Sequence, residues 1–168
     1  GALKDIVATG HATSRVGQMG AGVVVDHAPR STVRRAIISN GQTGIFVNGN
    51  LTRINGNKID NMTSDGIILL GNTSLVIANL LGDTSVSGVF VDGERNVVRG
   101  GAIADSPVGI WLYPRVNPMG EPNTNQVNAV DFTNVTTQVQ GVAGGTRELK
   151  GSMAAPFLAA CQTNADCS

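Results

Sequence analysis

Apolar residues recur along this chain in a short alternating pattern that repeats at a fixed interval. Gly22, Gly44, Gly66, Gly88 and Gly109 each precede an apolar-x-apolar triplet, and successive glycines lie 22, 22, 22 and 21 residues apart. The triplets are Val23-Val24-Val25, Ile45-Phe46-Val47, Ile67-Ile68-Leu69, Val89-Phe90-Val91 and Ile110-Trp111-Leu112. A period of this length identifies a solenoid, in which each repeat buries its apolar face only against its neighbours. In the repeat from Gly44 to Asp65, the triplet leads into Asn48-Gly49-Asn50 and then Ile54, Asn57, Ile59 and Asn61. Alternation rich in Ile and Val marks strands, and Asn-Gly and Gly-Asn pairs mark turns. Each repeat therefore predicts two or three short strands and no helix. Stacked coils would hold these strands parallel, about 4.8 Å apart.

Away from this frame the period weakens. Residues 1–21 read as an irregular first coil, with Ile6-Val7 as a candidate strand. After Ile110-Trp111-Leu112, residues 113–124 carry Pro114, Pro118 and Pro122 and read as a loop projecting from one coil. Long loops on a regular scaffold often carry function, and covering apolar surface is the competing use. Residues 141–160 lose the repeat, and their apolar, Ala-rich stretch from Met153 to Ala160 is a candidate cap over the open end.

The pattern Gly44-Ile45-Phe46-Val47 … Asn57-Lys58-Ile59-Asp60-Asn61 resembles right-handed parallel β-helices of the pectate-lyase-like class, including tailspike-like 22-residue repeats. The resemblance covers residues 22–112 well and 125–140 weakly. It implies an all-β, right-handed parallel β-helix of about six coils over residues 1–140, with a C-terminal cap or tail at 141–168. It also implies an extracellular, carbohydrate-centred setting. It implies no single activity, because the same repeat serves lyases, hydrolases, epimerases, phage tailspikes and inert surface proteins.

Composition narrows the partners. The 168 residues hold 12 Lys and Arg against 12 Asp and Glu. A nucleic-acid or anionic-membrane partner would favour a basic surplus, so this balance argues against both. No apolar run approaches the roughly 18 residues that span a bilayer. No charged segment precedes an apolar stretch at the start, which reads as a signal peptide absent or removed. The two cysteines, Cys161 and Cys167, predict a disulfide closing a small loop in an oxidising compartment; two free thiols are the alternative.

Two columns of side chains carry chemical interest. In each triplet the first and third residues should face the core and the middle one outward. The outward column is then Val24, Phe46, Ile68, Phe90 and Trp111, with three of the chain's six aromatics. A contiguous apolar stripe demands a use. Three compete: an oligomer interface, such as a trimer; cover by the chain's own residues 113–124 or 141–160; or a sugar-binding strip of Phe46, Phe90 and Trp111 with neighbouring Tyr113. The other column is Asn40, Asn61, Asp83, Asp105 and Asn134, two places after the last core residue of each coil. Stacked Asn and Asp at a turn can hydrogen-bond along the stack. Asp83 and Asp105 would be neighbours about 5 Å apart, a separation that suits Ca²⁺ ligation or the carboxylate pair of a retaining glycosidase.

Arg99 stands in a further outward column with Arg34, Asn55, Ile77 and Asn128, and lies near Asp92 and Glu94 in sequence. The β-helix resemblance makes a basic side chain near acidic metal ligands a lyase-like cluster, against which solvated turn charges are the plainer reading. Asp26 and Asp92 would stand three coils apart, about 14 Å, and cannot share a metal. Asp26-His27 follows a strand, and alternation would send the two side chains to opposite faces, so an ordinary turn histidine is expected there and not an acid–base pair; no Ser-His-Asp set or metal-type Cys/His cluster is visible. Asn-x-Ser/Thr sequons occur at Asn50, Asn61, Asn72 and Asn134. Two functions follow as expectations: a secreted module that binds, and in its stronger form cleaves, polysaccharide through these residues, or a non-catalytic structural or adhesive protein.

Overall fold

The computed structural model describes residues 1–9, 20–113 and 124–141. Fourteen parallel strands form one sheet that winds into a solenoid, and no helix occurs among the described residues. The strands stack as three ladders, and the three ladders form the three faces of the coil.

Along the first face the inward residues in register are Leu3, Val33, Ile54, Val76, Val98 and Val127. The second aligns Ala8, Ile38, Ile59, Leu81, Ile103 and Phe132. The third aligns the first triplet residues Val23, Ile45, Ile67, Val89 and Ile110, then Val139. These columns meet in one continuous core, where Ile38, Ile45, Ile54, Ile59 and Ile67 are completely buried. Each such side chain contributes roughly 1.5–3 kcal/mol relative to exposure. Four regular turns carry Val23 to Ile110, while the next rung, Val139, lies 29 residues further on. The expected count of about six coils is reached only by including irregular partial coils at both ends.

The repeating glycine has a steric cause. A Cβ on Gly66 would sit 2.6 Å from the Gly88 carbonyl oxygen and 2.7 Å from Leu81 Cδ2, and Gly44, Gly88 and Gly109 are equally crowded. The chain enters the third face at this point, and the backbones of successive coils approach too closely for any side chain.

Corners between faces rest on left-handed residues. Asp5, Arg35, Gly56, Ala78, Gly100 and Ala129 all have φ between 49° and 63° at the first corner. Asn40, Asn61, Asp83, Asp105 and Asn134 have φ between 46° and 57° at the second. Asn and Asp tolerate this region best among residues with a side chain, which accounts for the second column without chemistry. Hydrogen bonding continues through the corners, as from Gly56 N–H to the Ile77 carbonyl (3.1 Å), so the strands Leu75–Thr84 and Val97–Leu112 bend without breaking. Thr84 aligns with Ser106 by the 22-residue period, yet Ser87 pairs with Val108. The residue lost in the 21-residue interval is therefore lost at this corner, beside Pro107.

Polar side chains also stack inside. Asn57 Oδ1 accepts from Ala36 N–H (2.9 Å), and Asn79 Oδ1 accepts from both Asn57 N–H (3.0 Å) and Asn57 Nδ2 (2.9 Å). Asn79 Nδ2 returns a hydrogen bond to the Ile54 carbonyl (3.1 Å). At the third corner Asn96 Oδ1 accepts from Ser74 N–H (2.8 Å), and Asn125 Oδ1 from Asn96 N–H (2.8 Å). These four asparagines are at most 3% exposed, so their amides replace the water that the turns would otherwise need.

Candidate functional site

On the third face the outward column stands in register as expected: Val24, Phe46, Ile68, Phe90 and Trp111, followed by Gln140. Its exposure is uneven, since Val24 is open and Ile68 is buried between Phe46 and Phe90. The aromatic rings gather at one end. Trp111 packs edge-on to Phe90 with ring centroids 5.5 Å apart and an interplanar angle of 83°. Tyr113, from the same coil as Trp111, also tilts against Phe90 at 6.0 Å and remains 43% exposed. The Tyr113 backbone is fixed by its N–H to the Val91 carbonyl (2.8 Å), so the ring is presented from a laddered segment.

Of the residues expected to contact sugar, the structure thus unites Phe90, Trp111 and Tyr113. Phe46 lies two coils away behind Ile68. Half-buried Asp92 follows Val91 as Tyr113 follows Leu112, which sets a carboxylate one coil from the phenol. A cluster of this kind offers flat apolar faces with polar groups at the margin, the chemistry that matches a pyranose ring.

The residues expected to perform catalysis are not united. Arg99 is exposed at the first corner, in register with Ile77 and Asn128. Asp83 and Asp105 are exposed at the second corner. The third face begins at the second corner, and the aromatic cluster lies at its opposite end, six residues beyond Asp105 at Trp111. Along the second corner Asn61 Nδ2 donates to Asn40 Oδ1 (2.7 Å), and Asn134 Nδ2 donates to Asp105 Oδ1 (2.9 Å). A side-chain ladder is therefore present in part. An ionised carboxylate accepts but has no proton to donate, so Asp105 cannot pass the ladder on to Asp83.

Among the described residues no group of three or more His, Cys, Asp or Glu comes together. Asp83 and Asp105 offer two carboxylates, and Ca²⁺ takes six to eight oxygens. The rest of such a shell would have to be amide, backbone or water oxygen. Glu94 and Asp92 lie on the turn that leaves the third face, whereas Arg99 sits at the far end of the first, so the sequence neighbourhood of Arg99 is not a spatial one.

Two features depart from the sequence reading. His27 Nδ1 lies 2.7 Å from Asp26 Oδ1 on an exposed corner, although alternation would send the two side chains to opposite faces. His27 has φ 50°, which breaks the alternation there. Asp65, not singled out by its motif, is 7% exposed and accepts from Ser87 Oγ (2.5 Å) and Ser64 Oγ (2.8 Å). Its signal was its place in an inward column with Thr43 and Ser87, where a carboxylate must be hydrogen-bonded. The sequon residues Asn50 and Asn72 serve as turn ties, accepting from Asn72 N–H (2.8 Å) and Glu94 N–H (2.7 Å). His11, residues 114–123 of the loop, residues 142–168 of the cap or tail and with them the Cys161–Cys167 pair lie outside the described residues.

No helix among the described residues is long and apolar enough to cross a membrane. No curated protein and no solved structure matches the chain. The family model described as a right-handed β-helix region matches residues 12–114, more than half of the chain. With parallel ladders repeating every 21 or 22 residues across that span, the chain belongs to the right-handed β-helix family.

Proposed function

We propose that this protein is a polysaccharide-binding β-helix module acting outside the cell or at its surface, with Phe90, Trp111 and Tyr113 as the sugar platform. The observation that carries the reading is the contact of three aromatic rings on one laddered face, with Tyr113 open to solvent. Binding without cleavage is favoured, because Arg99 and the Asp83–Asp105 pair stand at different corners and neither adjoins the platform. Trp111 is the chain's one tryptophan, so its fluorescence reports on this site alone.

The test is affinity electrophoresis through gels containing neutral or acidic polysaccharides, together with a tryptophan fluorescence titration. Trp111→Ala and Phe90→Ala are expected to weaken retention by about tenfold on the polymer that binds, with assembly state unchanged. Retention that both variants leave intact would defeat the platform. A second reading is favoured by the apolar stripe extending to Val24, which is 52% exposed: the third face as an assembly surface of a structural or adhesive protein. Under that reading the same substitutions change sedimentation, and no polysaccharide is retained.

A further inference from the structure

The second face carries its own outward column, in register from Val7 through Ile37, Lys58, Leu80 and Ala102 to Asp131. Val7 is 72% exposed, Ile37 51% and Leu80 54%, more open than any residue of the aromatic cluster. Apolar side chains this exposed on a flat parallel face point to a partner.

Charge is divided across the same face. Its first-corner edge carries Lys4, Arg34, Arg35 and Arg99, with Lys58 just inside it. The carboxylates at that edge are Asp131, in the column of Lys58 at the last rung, and Asp5, whose two oxygens accept from Arg35 Nε (2.6 Å) and Nη2 (2.9 Å). That hydrogen-bonded pair, helped by nearby Lys4 and Arg34, holds the Asp5 carboxyl below its ordinary value. The second-corner edge carries Asp60, Asp83 and Asp105, with no Lys or Arg among the described residues there. A net charge of zero therefore hides a strongly divided surface.

We propose that the second face is a self-association surface, on which two copies pair about a two-fold axis parallel to the solenoid axis. This operation keeps each coil level with its counterpart and exchanges the edges. Ile37 then lies against Ser39 and Leu80 against Gly82 of the other copy, while the basic first corner of each chain runs beside the acidic second corner of the other. Arg99 faces Asp105 at one coil level, and Lys58 faces Asp60 two coils away. A partner of single charge would match one edge and be repelled by the other, which selects a second copy of this chain. Six rungs about 4.8 Å apart, each about five residues wide, give a face of about 500 Å², so the pair buries about 1,000 Å². That is the lower limit for a specific interface and sets a weak, reversible dimer. It differs from assembly through the aromatic stripe, which lies on the third face, and it is independent of polysaccharide binding.

Sedimentation equilibrium of the full chain at low and high salt tests the proposal. A dimer is expected, weakened about tenfold or more between 0.05 and 0.5 M salt as screening removes the edge attractions. Ile37→Lys and Leu80→Lys, both at exposed positions, should each raise the dissociation constant by about tenfold while the circular dichroism stays unchanged. Arg99→Asp and Asp105→Arg should each weaken the dimer, and the double exchange should restore it. Arginine already occupies left-handed corners at Arg30, Arg35 and Arg95, so Asp105→Arg is compatible with the fold. A monomer at every concentration and salt overturns the proposal. So does a dimer that Leu80→Lys leaves intact, or a double exchange that fails to restore pairing.

Discussion

The buried Asn57–Asn79 pair and the exposed column of Asn40, Asn61, Asp83, Asp105 and Asn134 use the same residue type at the same period, yet they do different things. Inside, each amide bonds to backbone of the neighbouring coil, and no water competes. Outside, the bonds run from side chain to side chain, and solvent is available to every member. The inner column holds coils together. The outer one chiefly supplies residues that accept a left-handed backbone. Recurrence alone does not separate a structural tie from a tolerated corner, and burial does.

The sharpest way to break this contrast is Asn79→Ala. It strands the Asn57 N–H and the Ile54 carbonyl in the core, and is expected to cost about 2–4 kcal/mol in urea unfolding. A loss below about 1 kcal/mol would mean that the inner ladder is no stronger than the outer. Asn61→Ala removes one exposed hydrogen bond and places alanine at φ 56°, which should cost about 1 kcal/mol. Asp83→Asn should do the opposite and stabilise by up to about 0.5 kcal/mol, since an amide can donate along the column where a carboxylate cannot. It also removes one of two like charges at neighbouring positions, so part of this gain should fade in high salt.

The frame of the fold was legible in the sequence because its causes are local. The glycine period marks where backbones touch, and the triplets mark a face whose inward and outward positions alternate strictly. That alternation placed Val23, Ile45, Ile67, Val89 and Ile110 in an inward column and the apolar stripe in an outward one. The site was less legible. A column is defined by residues 22 apart, but contact across faces depends on how sharply the chain bends at each corner. Arg99, Asp92 and Glu94 are close in sequence and are divided between faces by the turn. Tyr113 and Phe90 are 23 residues apart and touch. The left-handed corners were hidden for a similar reason. Arg35, Ala78 and Ala129 are not residues that announce positive φ, and the stack around them imposes it. Whole-chain charge concealed the rest, since a zero sum records nothing of which edge holds which sign.

The ladders that join coils run across the solenoid, and every internal asparagine bond reaches only the adjacent turn. Tension applied at the two ends of the stack would be carried in series by every coil interface, and a terminal coil, packed on one side only, would give way first. Such a rod would lengthen in discrete increments of about 70–80 Å, one coil of 22 residues each time, instead of failing at once. At a surface exposed to shear, the molecule would dissipate a pull stepwise and could rewind from any coils still intact, each of which is a template for the next.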